Sequence, residues 1–304
     1  VTITINPTPR LTADISETTY CDSSDVVFMV TDGLLSSTGP RVHSVFRDYS
    51  EDSIHIEGEV PGLADAQAYG QFTDQIRNLT DRVQTVEYTF RALIKDPRGD
   101  GSLEECNEGV DTTIIISINP TPELRVELPE TIYCDSSNVV FEVIDELVSS
   151  TGATAYYLTR EYDENQVMIE GKLPGIENGQ LYGQFTDQVR NLTREEQTIT
   201  YRFKPVILDP RGDGSVPEWN EGGDTAITIT VNPTPRLTAD ISETIYCDSS
   251  TVEFTVTDGL LSSEGARVYR VFRDYDEANI KIEGEVPGLD DGQSYGQLTD
   301  QIRN

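Results

Sequence analysis

The chain has 304 residues, more than one ordinary domain needs, and carries 54 Asp and Glu against 22 Lys and Arg, a net charge of −32 with a pI near 4.2. That balance excludes nucleic acid as a partner, because phosphate binding rests on clustered Lys and Arg, and it disfavours an anionic membrane surface for the same reason. Hydrophobic content of 36% suits several small cores, and no apolar run approaches the roughly 18 residues of a spanning helix, so no membrane insertion is expected of this segment.

In chain order, Val1-Thr2-Ile3-Thr4-Ile5 reads as a strand already under way rather than a signal peptide, so the chain is expected to be a piece of a longer protein, with residues 1–8 holding the last strand of a preceding repeat and a linker. Runs rich in β-branched and aromatic residues predict strands at Leu11–Ile15, Val26–Thr31, Val42–Tyr49, Ile54–Glu57, Val86–Ile94 and Thr112–Ile118. Thr85 to Phe90 alternates in polarity, as a strand with one wet face does. Phe72, Ile76 and Leu79 have helical spacing, which leaves Gln71 to Leu79 open between a helical turn and an irregular strand. About seven short strands in a unit of about 110 residues is an immunoglobulin-like sandwich by count.

The unit then repeats. Asn6-Pro7-Thr8-Pro9 returns at Asn119 and Asn232, each start 113 residues after the last, without gaps. Tyr20-Cys21-Asp22-Ser23-Ser24 returns at Tyr133 and Tyr246, and Tyr69-Gly70-Gln71-Phe72-Thr73-Asp74-Gln75 at Tyr182 and Tyr295. The expected division is three repeats, 9–118, 122–231 and 235–304, the last truncated before its final two strands. Ile5–Asn78 and Val231–Asn304 share 57 of 74 positions, more than either shares with the middle copy, which suggests alternating units from recent duplication. Each proline of Pro-Thr-Pro fixes its own φ and pushes the preceding residue toward extended conformations, so the joints should be short and stiff and the units should string end to end as an elongated rod.

Cys21, Cys134 and Cys247 occupy one repeat position, whereas Cys106 is replaced by Trp219 in the second unit. A Cys21–Cys106 disulfide would close a loop of about 85 residues, stabilise by about 4–5 kcal/mol in the chain-entropy model and place the protein outside the cytoplasm. The alternative is shielded thiols that never pair. With a bridge in the first unit, Cys134 would be left unpaired under the Trp219 indole.

Chemistry is sparse. His43 becomes Tyr156 and Tyr269, and His55 becomes Met168 and Lys281, so no histidine carries a function that the units share. That argues against Ser-His and Cys-His catalysis and histidine-bound zinc. No phosphate loop or dinucleotide fingerprint is present, and chance carboxylate pairs are too common here to argue for glycosidase chemistry. No catalytic residue is assigned. The acidic loop is the best candidate site: Asp96, Asp100, Glu105, Glu108 and Asp111 match Asp209, Asp213, Glu218, Glu221 and Asp224, among glycines. Hard oxygen donors on such a loop suit calcium, with Asp96, Asp100, Glu108, Asp209, Asp213 and Glu221 as the ligands. The competing reading is a solvated turn on a very acidic surface, and the spacing does not match an EF-hand. Arg98-Gly99-Asp100 and Arg211-Gly212-Asp213 spell an integrin tripeptide too short to argue from. Asn78-Leu79-Thr80 and Asn191-Leu192-Thr193 fit a glycosylation acceptor, but an Asn bonded to a turn backbone is the favoured reading.

The Asn-Pro-Thr-Pro boundary, the early Tyr-Cys-Asp, Thr73-Asp74 through Asn78 and Thr80, the Tyr88-Thr89-Phe90 strand and the late Cys106 together resemble the tandem PKD-like, immunoglobulin-like repeats of giant bacterial surface adhesins. Those adhesins belong to gliding and filamentous marine bacteria and are exported by the type IX system. The resemblance covers the whole chain and implies an all-β array of sandwiches, extracellular on the cell surface, with no catalytic residues. The Trp-Asp-Phe-Gly-Asp-Gly motif of true PKD domains is absent. The expected function is a non-catalytic spacer for adhesion or gliding, contacting neighbouring repeats and reaching a host or prey surface through other regions. The alternatives are a self-associating appendage, a filament or hook built from identical chains and used in prey capture, and, more remotely, a calcium- or glycan-binding module. Self-contacting surfaces should be kept between copies, whereas spacer surfaces should drift.

Overall fold

A computed structural model describes residues 2–60, 66–98, 108–171, 179–212, 214, 219–284 and 292–304. The first unit contains β1 (Leu11–Ile15), β2 (Thr19–Tyr20), β3 (Ser24–Asp32), β4 (Arg41–Asp48), β5 (Ile54–Glu57), β6 (Gly70–Asn78), β7 (Gln84–Ile94) and β8 (Thr112–Ile118). They form two four-stranded sheets, ordered β1-β3-β6-β5 and β2-β8-β7-β4. Every pairing is antiparallel except β2 with β8, which is parallel. The first edge strand thus starts in one sheet and crosses to the other, the strand order of an immunoglobulin-like sandwich.

The two sheets are held by the alternation that the sequence shows. On β3 and β7, Val26, Phe28, Val30, Val86, Tyr88 and Phe90 are buried. Phe28 sits 4.6 Å from Tyr88 and 5.0 Å from Phe90, ring centre to ring centre, so strands of opposite sheets interlock through aromatic rings. Gln71 to Asn78 is a regular strand, not a helical turn. Phe72, Asp74, Ile76 and Asn78 all point inward at a period of two, and burying Asp74 and Asn78 hides that period from a reading by hydrophobicity alone. By contrast, Thr2 to Arg10 pairs with no strand among the described residues, and Ile3 and Ile5 are exposed.

The second unit repeats the plan with β9 (Leu124–Glu127), β10 (Ile132–Tyr133), β11 (Ser137–Asp145), β12 (Ala153–Glu161), β13 (Val167–Glu170), β14 (Gly183–Asn191), β15 (Gln197–Leu208), β16 (Trp219–Glu221) and β17 (Thr225–Val231). The short β16 adds to β15 as an extra strand. In the third unit, β18 (Leu237–Ile241), β19 (Ser250–Asp258), β20 (Lys281–Glu283) and β21 (Gly296–Arg303) make a single sheet, ordered β18-β19-β21-β20. No second sheet faces it among the described residues, so Leu237 is 46% exposed where its counterpart Leu11 is 9% exposed.

The edge strand β4 is bridged at one residue. The backbone of His43 both donates to and accepts from Gln67, at 2.8 and 2.9 Å, and Tyr156 with Gln180 and Tyr269 with Gln293 repeat the pair.

Candidate functional site: the joint between repeats

The Asn-Pro-Thr-Pro segment is built into both units that it joins. Asn119 follows β8, is fully buried, and reaches forward: its Oδ1 accepts the Thr151 N–H at 2.7 Å, while its Nδ2 donates to the Pro210 carbonyl at 3.0 Å and the Thr151 carbonyl at 3.3 Å. Thr121 reaches back, donating its hydroxyl to Asp22 Oδ2 at 2.6 Å. The other Asp22 oxygen accepts the Asn78 N–H at 2.7 Å, and Asn78 Nδ2 donates to the carbonyls of Ile118 and Arg82. Asn78 is therefore a buried strand-end brace, and its amide is not presented for glycosylation; Asn191 makes the same bonds to Asp135, Val231 and Glu195.

Beside the linker, the two units meet directly. Val148 N–H donates to the Asp81 carbonyl at 2.8 Å, and the Ser149 hydroxyl accepts the Val83 N–H at 3.1 Å. Arg211 pairs with Glu17 of the preceding unit at 3.0 Å, which occupies the arginine of the second Arg-Gly-Asp. Asn220 donates to the Pro120 carbonyl at 2.7 Å. Next to it, Gly222 lies so close to the linker that a Cβ would stand 1.8 Å from the Pro122 carbonyl oxygen, so only glycine fits there.

The next joint repeats the linker contacts 113 residues on. Thr234 donates to Asp135, Asn232 brackets the backbone of Glu264, Leu261 N–H donates to Arg194, and Ser262 accepts the Glu196 N–H. Asp135 is half-buried; burial favours its neutral form, but hydrogen bonds from Thr234, Asn191 and Ser136 outweigh it and hold the carboxyl below its ordinary range. An open groove of about 400 Å³ beside this joint is lined by Cys134, Pro233, Pro235, Leu260 and Val268. At the first joint, β16 and its flanks stand against the corresponding prolines.

Inside each unit one charged group is braced in the core. Asp74 on β6 pairs with Arg47 on β4 and accepts the Tyr88 hydroxyl at 2.8 Å. Burial pushes the Asp74 carboxyl up from its ordinary range, against the pull of Arg47 and Tyr88, and burial beside Asp74 pushes Tyr88 up as well. Arg160–Asp187 at 2.5 Å and Arg273–Asp300 at 3.0 Å repeat the pair. In the first two units these charges lie between the sheets, whereas no second sheet covers Arg273–Asp300 among the described residues.

The acidic loop does not converge among the described residues. Glu108 and Asp111 are held by Arg91, at 3.2 Å and 2.7 Å, and Glu221 by Lys204 at 2.5 Å. Asp96 and Asp209 adopt positive φ in their turns, and Asp209 accepts the Gly214 N–H. Asp100 and Asp213 lie outside the described residues, and no group of three metal-ligating side chains forms among those described. Cys106 and the Trp219 side chain also lie outside them, so the Cys21–Cys106 bridge and the indole cover fall there too. Cys134 and Cys247 are exposed thiols.

Neither a protein-family model nor a curated protein sequence matches the chain. Solved structures match at low similarity. The Escherichia coli adhesin FdeC shares 10% identity over 99% of this chain and 90% of its own, with a TM-score of 0.30. The Yersinia pseudotuberculosis adhesin InvE shares 13% over 73% of this chain and 58% of its own, with a TM-score of 0.24. A four-domain ectodomain fragment of ICAM-5 shares 10% over 95% and 66%, with a TM-score of 0.34. At these values the likeness carries no functional argument, and the fold assignment rests on strand order and packing.

Proposed function

We propose that the chain is a non-catalytic structural segment of a long extracellular bacterial adhesin, in which successive repeats act as semi-rigid spacers and other regions make the adhesive contact. The observation that carries the proposal is the joint. The same Asn reaches forward and the same Thr reaches back at 119–121 and 232–234, so the angle between neighbours is set by hydrogen bonds as well as by proline stiffness. A chain that only tethers its ends needs no such bonds, whereas a chain that must hold a tip at a distance does. The acidic surface keeps long arrays soluble in salty water.

Small-angle X-ray scattering of the 304-residue chain at low salt tests the shape. A narrow, elongated distance distribution is expected; a compact globule, or the broad distribution of flexibly linked beads, would sink the spacer reading. Antibody labelling of intact against permeabilised cells tests the location, and staining confined to permeabilised cells would remove the extracellular assignment.

A further inference from the structure

The outer face of β6 carries Gln71, Thr73, Gln75 and Arg77, all exposed. β14 presents Gln184, Thr186, Gln188 and Arg190, and β21 presents Gln297, Thr299, Gln301 and Arg303, the same four residues in the same order. Neighbouring positions do not keep pace. Opposite Gln71 stand Met29, then Glu142, then Thr255; opposite Thr73 stand Val27, Val140 and Glu253; opposite Gln75 stand Asp25, Asn138 and Thr251. On the other side, Arg77 faces His55, then Met168, then Lys281. Cross-strand partners ordinarily decide what an exposed strand position prefers, and here they change from apolar to acidic to hydroxyl while the row stays fixed. Val27, Met29 and His55 differ even between the first and third copies, which are otherwise close. The one flanking acid that stays is Glu57, kept as Glu170 and Glu283, opposite the second Gln of each row.

Many other residues kept in all copies are accounted for by contact, namely the core rings, the buried Asp–Arg pair, and the Asn, Thr and Ser of the joints, while Glu51, Glu164 and Glu277 are kept singly on the exposed surface. Within the row, Gln71 donates to Thr73 at 3.2 Å, Arg303 lies 3.9 Å from Glu283 and Arg190 acts on the Asp135 carboxyl, contacts that account for the arginine but not for both glutamines. We propose that this Gln-Thr-Gln-Arg row, with its flanking Glu, is the surface through which the chain packs side by side against a second copy of itself. The argument for that occupant is twofold. A surface that recurs once per repeat is matched in period by another array of the same repeat. The row is also self-complementary: side chains stand about 6.7 Å apart along a strand, amides and hydroxyls both donate and accept, and Arg77 of one copy meets Glu57 of the other when antiparallel strands, as a two-fold contact requires, set the Arg of each row against the second Gln of the other.

The net charge of −32 opposes association of two copies, so pairing should strengthen with salt. Sedimentation of the full chain at about 0.1 M and about 1 M sodium chloride, where the screening length falls from about 10 Å to about 3 Å, is expected to show a monomer shifting to dimer or larger species. The triple variant Gln75→Ala, Gln188→Ala and Gln301→Ala, which adds no charge beside Glu57, Glu170 and Glu283, should lose that shift, its Kd rising about tenfold or more, with a melting temperature close to that of the parent chain. Mixing a chain carrying Arg77→Glu, Arg190→Glu and Arg303→Glu with one carrying Glu57→Arg, Glu170→Arg and Glu283→Arg should restore pairing that neither shows alone. A monomer at both salts overturns the proposal, as does binding of neutral polysaccharide by such a monomer through the row. Association that survives the triple variant also overturns it, assigning the contact to the uncovered sheet of the third unit. The low-salt scattering shape is independent of all these outcomes, so the spacer reading can stand or fall separately.

Discussion

Thr121 donates its hydroxyl to Asp22 Oδ2 at 2.6 Å, across 99 residues of chain, so a linker residue closes on the corner of the unit that it has just left. Asp22 thereby joins the end of β6 to the linker, and the joint becomes a continuation of the first sandwich rather than a tether from it. Thr234 and Asp135 do the same one repeat later.

Replacing Thr121 by Val keeps the β-branched shape and removes the donor. The expected cost is about 1 kcal/mol of stability, with a wider spread of angles between the first two units. Chemical denaturation and scattering measure the two effects, and an unchanged distance distribution would mean that proline stiffness alone sets the joint.

Removing Asp74 should cost far more. It leaves Arg47 charged and unpaired between the sheets, so Asp74→Ala is expected to destabilise by about 3–5 kcal/mol, and Asp187→Ala likewise for its own unit. Thermal melts followed by near-ultraviolet circular dichroism check this; a loss under about 1 kcal/mol would show that the guanidinium escapes to water.

Acid should leave the second joint intact until the carboxylates titrate. Asp135 is held below its ordinary range, so its contribution is present above its unfolded value of about 3.9 and is lost as pH falls through the lower folded value. Asp74 has the opposite sign: its raised value favours the folded state below about 3.9, and that preference fades as pH rises through the folded value. A distance label across the 232–235 linker should therefore read constant from about pH 8 down to about pH 5 and change only below about pH 4. A change near neutrality would refute the assignment.

Cys134 and Cys247 should react with a thiol reagent in the native, unreduced protein, because both are exposed. Cys21 and Cys106 should react only after reduction, and reduction should lower the stability of the first unit by about 4–5 kcal/mol if chain entropy dominates. Peptide mapping that finds all four thiols labelled without reductant would exclude the bridge.

Calcium should not move the melting temperature, because Glu108 and Glu221 already hold Arg91 and Lys204. A rise on adding calcium that a chelator reverses would assign the ion to the acidic loop.

Periodicity made the strands legible wherever one face is apolar: β1, β5 and β8 end where their β-branched runs end. It failed at β6, where Asp74 and Asn78 hold inward positions that hydrophobicity assigns to solvent. It also missed β2, since two residues are too few to show a period. The Asn-Pro-Thr-Pro repeat marked the joint, but prolines alone did not reveal which unit each polar residue binds.

From sequence alone follow the repeat length, the sandwich class, the acidity and the lack of a histidine common to the repeats, because those depend on composition and on spacing along the chain. Tertiary structure alone decided that Asp22 meets Thr121, that Asn119 meets Pro210, and that Arg47 meets Asp74. Such pairs are far apart along the chain and become neighbours only when two sheets close on one core, so no local pattern records them. The same closure leaves the polar row of β6 and β14 facing outward, and only that geometry separates a side chain kept for packing from one kept on the surface.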